Sequence, residues 1–482
     1  MTAATVTLGP GPKPGPGPGE IADDILERIT GDDFARWEHR VANTGYCHHP
    51  IRLRGQIRAV DLATGETGLM YSTASEPDGV LLTTCGNRRE HVCPPCSAVY
   101  KRDARQLVKA GLAGGKGVPA TVAAHPCVFA TLTAPSFGPV HTRRTRAGKL
   151  LPCRARRDRH ERRCPHGRDI SCAHRHPDAD PRLGRPLCPD CYDYPAAVLF
   201  NANAADLWRR FITYLPRRLA TVAGVTAAQL RRDIRIRYVK VAEYQARGVV
   251  HFHAVIRLDA SGDGYQPPPG RYAIGMLSDA IEHAAAGAYV AADHDSDGGT
   301  VVLRFGAQTD TRPIRHGPDG PLTAQAVANY IGKYATKSLD APGLPARPIR
   351  SIADISRLTC SRHYQQMIAT AWHLGGKPGA SGERLRKWAH MLGYGGHYLT
   401  KSRRYSVTFG QLRAARTAHR REQRHPDGEH DPWGRELDET VVLVLTDWQY
   451  AGTGYHTPGD HQLALSAAAR AREHAEWAAP AA

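Results

Sequence analysis

Two adjacent extended segments constrain the fold of this chain more than any other feature. Ile234–Glu243 and Gly248–Ile256 are rich in apolar and β-branched residues, and only a short turn-forming stretch separates them. Two such runs this close in sequence predict an antiparallel β-hairpin. Because side chains alternate between the faces of a strand, His251 and His253 share one face while Phe252 points to the other. The pattern therefore predicts a sheet with an apolar layer behind it.

The length of the turn decides whether a carboxylate joins the two histidines. A three-residue loop ending at Gly248, with glycine in the left-handed conformation, places Glu243 opposite His251. A two-residue loop instead places Glu243 opposite Phe252, on the wrong face. We favour the longer loop, which predicts a metal site made of His251, His253 and Glu243. The alternatives are a hydrogen-bonded pair of surface histidines and the iron site of an oxygenase, which uses the same ligand types.

A second motif offers nucleophiles. The unit Tyr-x-x-Lys occurs twice, offset by four residues, as Tyr330 with Lys333 and as Tyr334 with Lys337. On a helix the two tyrosines would share one face, with the lysines in a row beside them. A tyrosine with a pKa of about 10 needs a polarised electrophile or a nearby cation to attack at neutral pH. The same stripe also fits the buried face of a core helix.

A third segment is a short β-branched and aromatic strand that ends in hydroxyl residues. With these motifs in this order, the chain resembles the HUH endonucleases, and specifically the rolling-circle replication initiators of actinobacterial plasmids and integrative elements. The segments that carry the resemblance are Phe129–Thr133, His251–Ile256, Tyr330–Lys337, Cys188–Tyr194 and Leu392–Ser406. The resemblance thus covers roughly residues 45 to 415.

Alternating short strands and helices predict an α+β protein. The resemblance implies a ferredoxin-like or RRM-like antiparallel sheet as the HUH core, with a zinc-binding insertion and accessory N- and C-terminal regions. We expect a disordered Gly/Pro leader at residues 1–20, a helical and zinc-binding region at 21–119, a nicking-joining domain at 120–414 and a charged C-terminal region at 415–482. The basic, zinc-binding insertion would occupy about residues 139–195.

The resemblance also implies a reaction, which is site-specific nicking and joining of one DNA strand at a plasmid's double-strand origin. Mg²⁺ or Mn²⁺ would act as a Lewis acid on the scissile phosphate, and Tyr330 or Tyr334 would form a 5′-phosphotyrosine link. The partners would be origin DNA, the displaced single strand, a host polymerase and a host helicase, since the sequence has no Walker A loop. A relaxase, a transposase-type nickase and a non-catalytic zinc-dependent DNA-binding regulator remain alternatives.

Eleven cysteines without a signal peptide favour structural zinc over disulfides. We expect one or two Zn²⁺ sites. The ligands of the first would be Cys47, Cys85, Cys93 and Cys96. The ligands of the second would be Cys164, Cys172, Cys188 and Cys191, with His166, His174 and His176 as alternatives. Cys127 and Cys360 are expected to be ordinary buried thiols and Cys153 a bystander.

The charge of the chain favours a polyanionic partner. Lys and Arg number 64 against 46 Asp and Glu, which gives a net charge of +18. Between Arg143 and Arg163 there are ten basic and two acidic residues, which predicts either a solvated arm or a DNA-contacting surface. The candidate DNA contacts are Arg143, Arg144, Arg154, Arg156 and Arg157. The sequence has no uninterrupted run of 18 apolar residues, so we expect a cytoplasmic protein without a membrane span.

Overall fold

The computed structural model describes residues 17–155, 163–262, 264–293, 299–314, 323–336, 343–345, 347–376, 380–424, 430–435 and 442–477. The chain divides into two compact units, the first being Met1–Tyr100 with Arg413–Ala482 and the second Lys101–Leu412. Residues 1–16 of the expected leader lie outside the described residues, and a helix begins at Pro18.

The described residues contain helices and strands in alternation. The helices are α1 (Pro18–Thr30), α2 (Phe34–Asn43), α3 (Pro94–Ala113), α4 (Tyr194–Val222), α5 (Ala227–Asp233), α6 (Ile274–Gly287), α7 (Ala324–Thr336), α8 (Ile352–Ser356), α9 (Arg362–Leu374), α10 (Ala380–Lys387), α11 (Phe409–Arg424) and α12 (Pro458–Trp477). The strands are β1 (Ile51–Asp61), β2 (Thr67–Ser72), β3 (Leu81–Thr83), β4 (Cys127–Leu132), β5 (Arg144–Arg146), β6 (Lys149–Leu151), β7 (Ile234–Tyr244), β8 (Val250–Ala260), β9 (Tyr289–Asp293), β10 (Thr300–Arg304), β11 (Thr309–Pro313), β12 (Leu399–Lys401) and β13 (Val442–Thr453). Every strand pairing among the described residues is antiparallel, which confirms the predicted α+β class.

The second unit is built on a five-stranded sheet in the order β11-β4-β8-β7-β12. Strand β8, which carries both histidines, is therefore central. Its side chains alternate as the sequence predicts, and Phe252, Ala254 and Ile256 join the large apolar core. In that core the ring of Trp208, on α4, meets Phe252 edge-on at 5.6 Å between centroids. Helix α7 contacts β7.

Helix α4 is long because its sequence supplies a start signal and a continuous apolar stripe. The side chain of Asp193 accepts a hydrogen bond from the backbone N–H of Ala196 at 2.9 Å, which caps the helix, and Pro195 follows at a position that tolerates proline. Leu207 and Phe211, one helical turn apart, are among the residues that bury the helix against the sheet.

The first unit has a sheet in the order β13-β1-β2, with β3 also paired to β1. Strand β13 runs beside β1 from the pair Ile51 and Thr453 to the pair Asp61 and Val442. Residues near the two ends of the chain thus form one unit, whereas sequence reasoning treated 415–482 as a separate region. No helix among the described residues is both long and apolar enough to cross a bilayer.

Candidate active site

The hairpin between β7 and β8 has the register predicted for the three-residue loop. Tyr244 pairs with Val250, and Glu243 pairs with His251. Gly248 adopts the left-handed conformation with φ of +75°, which glycine reaches without strain. The carboxylate and both imidazoles therefore lie on the same face of the sheet.

A buried asparagine on α4 anchors the base of this hairpin. The Asn201 amide donates to the backbone oxygens of Gly248 and Leu392, both at 2.9 Å. Its carbonyl oxygen accepts a hydrogen bond from the backbone N–H of Val250, also at 2.9 Å. One fully buried side chain thus fixes the turn residue and the first residue of β8 relative to the helix behind the sheet.

Three possible metal ligands converge above β8. Nε2 of His251 and Nε2 of His253 each lie 3.1 Å from the same carboxylate oxygen of Glu243. All three ligand atoms lie within 4.8 Å of one another. Octahedral ligands about 2.1 Å from a divalent cation lie about 3.0 Å apart, so the spacing suits one shared ion.

The hydroxyl of Thr131 orients the second histidine. Thr131 pairs with His253 across β4 and β8, and its Oγ1 lies 3.1 Å from Nδ1 of that imidazole. If Nδ1 donates its hydrogen to Thr131, Nε2 presents a lone pair to the carboxylate oxygen of Glu243. Two acceptors facing each other at this distance repel unless a cation lies between them. The sequence pattern predicts hydroxyl residues at the end of β4, but not this contact with His253.

The two tyrosines of α7 lie next to the histidines. The hydroxyl of Tyr330 is 3.1 Å from Nε2 of His253, the atom that also faces Glu243. The rings of Tyr330 and Tyr334 are 4.5 Å apart between centroids, and the ring of Tyr334 is 5.8 Å from that of His253. Tyr330 remains 36% exposed, so its hydroxyl can meet a substrate from solution. Phe129 packs against both the His253 and Tyr330 rings.

Burial sets the protonation states of this cluster. It lowers the pKa of His253, an effect that Glu243 partly opposes, so the imidazole is neutral at neutral pH and available as a ligand. Burial also raises the pKa of Tyr330 above its usual value of about 10, and Tyr334 and Glu243 add to the increase. Tyr330 is therefore a protonated phenol in the free protein and needs help to act as a nucleophile.

Two cations lie near the tyrosines. Arg312, on β11, is close enough to Tyr330 to oppose the rise in its pKa. Lys333 is exposed, and its ammonium nitrogen lies 5.6 Å from the ring centre of Tyr334. Lys337 lies outside the described residues. Arg312 was missed by sequence reasoning because only the pairing of β11 with β4 brings it to this edge of the sheet.

The first unit brings together the four cysteines of the first expected zinc site. Cys47, Cys85, Cys93 and Cys96 form one group. The sulfur of Cys96 lies 3.6 Å from those of Cys47 and Cys85, and the sulfurs of Cys47 and Cys93 are 3.8 Å apart. Four sulfurs at about 2.3 Å from a tetrahedral zinc ion are about 3.8 Å apart, so these four thiols could hold one.

The insertion does not group its cysteines as expected. Cys164, Cys188 and Cys191 come together with His166, one of the histidines considered as an alternative ligand. Cys172 lies instead with His141, Cys153 and His176. Cys153 is thus part of a cluster rather than a bystander, and His174 belongs to neither group. His166 thus takes the place that was expected for Cys172. The difference arises because the fold of the chain, rather than spacing in sequence, decides which candidate ligands meet.

The basic arm is described only in part. Arg143 forms a 2.9 Å ion pair with Asp178, Arg144 begins the short strand β5, and Arg154 exchanges backbone hydrogen bonds with Cys172. Arg156 and Arg157 lie outside the described residues.

A second basic group was missed by sequence reasoning. Arg235, Arg237, Arg403 and Arg404 surround a cavity of about 260 Å³. Part of this group could have been predicted from the sequence. Arg235 and Arg237 are separated from Glu243 by even numbers of residues on β7, so all three side chains share one face of the sheet.

Comparison with known proteins gives one consistent relationship. A model of the family described as RepSA, replication initiator protein, pSAM2, matches residues 33–469. A replication initiator protein from Streptomyces ambofaciens is 43% identical over 450 residues, which cover 92% of each chain. No solved structure matches significantly.

Proposed function

Because the chain belongs to the RepSA family of replication initiator proteins, we propose that it starts rolling-circle replication of a plasmid or integrative element by nicking one strand of the origin. The cleavage would use an HUH-type centre made of Glu243, His251 and His253, with tyrosine as the nucleophile. The 5′-phosphotyrosine intermediate, the ferredoxin-like core and the catalytic Mg²⁺ or Mn²⁺ are parts of the same proposal.

One observation carries this proposal. The hydroxyl of Tyr330 lies 3.1 Å from Nε2 of His253, and that nitrogen lies 3.1 Å from Glu243. A nucleophile thus sits beside the atoms that would bind a divalent ion. A DNA-binding regulator or an oxygenase would not need a partly exposed phenol in this position.

The bound ion would withdraw charge from the scissile phosphate and so favour attack by a weak nucleophile. The protein would hold the reacting groups in place. Thr131 fixes the His253 ring through the contact with Nδ1, and Asn201 fixes the hairpin that carries His251. Arg312 and Lys333, both near the tyrosines, would bind the phosphate oxygens.

Tyr330 would attack first, because its hydroxyl lies 3.1 Å from Nε2 of His253. A bond forms between its phenolic oxygen and phosphorus, the bond from phosphorus to the 3′-oxygen breaks, and the phenolic proton is balanced by protonation of the leaving 3′-oxygen. The free 3′-hydroxyl would prime a host polymerase, while a host helicase separates the strands. Tyr334, whose ring lies 4.5 Å from that of Tyr330, would cut the regenerated origin and complete strand transfer.

The test is to incubate the purified protein with Mn²⁺ and labelled single-stranded oligonucleotides that tile the origin of the element encoding it. Denaturing gels then report covalent protein–DNA adducts. We expect an adduct with the wild type, less than a hundredth of it with Tyr330→Phe or His253→Ala, and none with the Tyr330→Phe, Tyr334→Phe double variant. Tyr289→Phe, at an exposed tyrosine on β9, serves as the matched control and should react normally.

Two results would contradict the proposal. Tight binding of a cognate origin without cleavage or adduct would favour the zinc-dependent DNA-binding regulator. An adduct that persists in the double tyrosine variant would show that another residue is the nucleophile.

A further inference from the structure

Eight of the Cys and His side chains of the insertion form two clusters, and along the chain these eight occur as four pairs. The pairs are His141 with Cys153, Cys164 with His166, Cys172 with His176, and Cys188 with Cys191. In space the first pair meets the third and the second meets the fourth. The ligand sets are therefore interleaved, and neither comes from one continuous stretch.

The first and third pairs together form one ligand set, and the distances within it fit a tetrahedral zinc ion. This set consists of His141, Cys153, Cys172 and His176. Nδ1 of His141 lies 3.2 Å from Nε2 of His176, and that nitrogen lies 3.5 Å from the sulfur of Cys172. In a tetrahedral site with zinc–nitrogen bonds of about 2.0 Å and zinc–sulfur bonds of about 2.3 Å, two nitrogens are about 3.3 Å apart. A nitrogen and a sulfur in the same site are about 3.5 Å apart. The backbone N–H of Thr142 also donates to the sulfur of Cys153 at 3.1 Å, as expected for a thiolate.

The second and fourth pairs form an equally compact set, which consists of Cys164, His166, Cys188 and Cys191. Nδ1 of His166 lies 3.2 Å from the sulfur of Cys191 and 3.9 Å from that of Cys188. The four ligand atoms, including the sulfur of Cys164, lie within 4.8 Å of one another.

We propose that residues 139–155 and 163–191, the zinc module, bind two Zn²⁺ ions in a cross-braced arrangement. One ion is held by two cysteines and two histidines, and the other by three cysteines and one histidine. Each ion joins parts of the module that are distant in sequence, so removal of one ion loosens the frame of the other. This inference does not depend on the proposed nicking reaction.

A carboxylate behind one histidine supports this assignment. Nδ1 of the fully buried His176 lies 2.7 Å from Oδ2 of Asp180, while Nε2 points at the other ligands. Arg182 holds the same carboxylate with bonds of 2.8 and 3.0 Å. A carboxylate on the far nitrogen fixes the ring and makes it a better metal ligand.

The module has too small an apolar core to fold without metal. Among the described residues of the module, Val140 has the only buried apolar side chain other than those of cysteine. Its strands β5 and β6 are three residues each. Segments of this kind are commonly held by metal ligands, and the binding energy of the ions then supplies the folding energy.

The module also packs against the catalytic hairpin. Gly184 donates its backbone N–H to the backbone oxygen of His141, at 2.9 Å. A Cβ atom at Gly184 would come within 2.1 Å of the backbone of Ala246, in the loop between β7 and β8. A zinc ligand is thus one hydrogen bond away from a residue that supports the loop between Glu243 and His251.

The test is to count tightly held zinc in the full-length protein by metal analysis and native mass spectrometry. We expect Cys153→Ser to lose at least one ion relative to the wild type, and Cys172→Ser combined with Cys191→Ser to lose two. His174→Ala is the matched control, because His174 neighbours the ligands without joining them, and should lose none. If Cys153→Ser keeps every ion, or the double variant loses one, a single four-cysteine site replaces the two-ion module.

X-ray absorption on the wild type gives the same answer without any variant. With the four-cysteine site of the first unit included, three ions should share nine sulfur and three nitrogen ligands. Zinc bound to sulfur alone would overturn the proposal.

Hydrogen exchange tests the contact with the hairpin. We expect the amides of residues 245–250 to exchange at least tenfold faster in Cys153→Ser and in Gly184→Ala, and at the wild-type rate in His174→Ala. Gly184→Ala should keep its zinc, because it alters the contact and not the ligands. Unchanged hydrogen exchange in both variants would show that the zinc module does not stabilise the hairpin loop.

Discussion

Replacement of Asn201 by alanine should destabilise the second unit far more than its small size suggests. The side chain is fully buried and makes three hydrogen bonds of 2.9 Å, two to backbone groups at the hairpin base and one to the backbone oxygen of Leu392. Each bond contributes a net of about 1 kcal/mol, and a buried N–H left without a partner costs a further 1–3 kcal/mol or so. We therefore expect Asn201→Ala to lower the free energy of unfolding by about 4–6 kcal/mol.

A second buried asparagine on the same helix provides the control. Asn203 is 9% exposed and donates one hydrogen bond, to the backbone oxygen of Leu199 on its own helix. Asn203→Ala should therefore cost only about 1 kcal/mol.

Urea unfolding followed by far-UV circular dichroism distinguishes the two variants. With a denaturant slope of about 3 kcal/mol/M, the difference of about 3–5 kcal/mol between the two variants separates their midpoints by about 1–1.7 M. Titration with Mn²⁺ should also show weaker binding in Asn201→Ala, since Val250 starts the strand that carries the histidines. Equal midpoints for Asn201→Ala and Asn203→Ala would refute the reasoning.

Three further predictions concern the sheet. Thr131→Val removes the hydroxyl beside His253 and should weaken Mn²⁺ binding about tenfold by calorimetry. Thr133→Val, at a neighbouring threonine, should leave the Mn²⁺ affinity unchanged. Equal Mn²⁺ affinities of the two variants would exclude the orienting role of Thr131. Burial lowers the pKa of Lys240 to about 7, so the folded protein binds fewer protons than the unfolded chain from about pH 7 to 10, and stability should rise with pH across that window. Lys240→Met should lack this rise in urea unfolding at pH 7 and 9.5, and the same rise in both proteins would contradict the shift. We also expect the basic group around the cavity to contact phosphates of single-stranded DNA. Arg235→Gln combined with Arg403→Gln should then reduce the salt dependence of single-stranded DNA binding by about 1.4 in log–log slope. An unchanged slope would show that these two arginines do not contact the DNA.

The hairpin and the convergence of Glu243, His251 and His253 on one face could be predicted because the signals are local. Alternation fixed which residues share a face, and the glycine at the turn fixed the register of Glu243 against His251. The position of Tyr330 and Tyr334 on one helical face followed from their spacing. Their contact with His253 did not, since it depends on how α7 packs against the sheet.

Long-range pairings were beyond the reach of the sequence. The strand near residue 442 was visible as an apolar run, but nothing local indicates that it pairs with β1, almost 400 positions earlier. In the zinc module, spacing indicated Cys188 and Cys191 as a pair, but His141 was not considered and Cys153 was expected to be a bystander. Which of the other candidate ligands meet depends on how the chain crosses itself in space. Thr131 shows the same limit, because its role exists only once β4 lies beside β8.

The proposed tyrosine mechanism is tested most directly by a search for the peptide to which origin DNA becomes attached. Trypsin cleaves after Lys333, so Tyr330 lies in peptide 316–333 and Tyr334 in peptide 334–337. The wild-type protein is mixed with Mn²⁺ and an equimolar single-stranded origin oligonucleotide, stopped after one turnover, treated with nuclease and trypsin, and examined by mass spectrometry. We expect the nucleotide mass on peptide 316–333. Attachment to peptide 334–337 would reverse the order of the tyrosines, and attachment to neither would contradict the tyrosine mechanism.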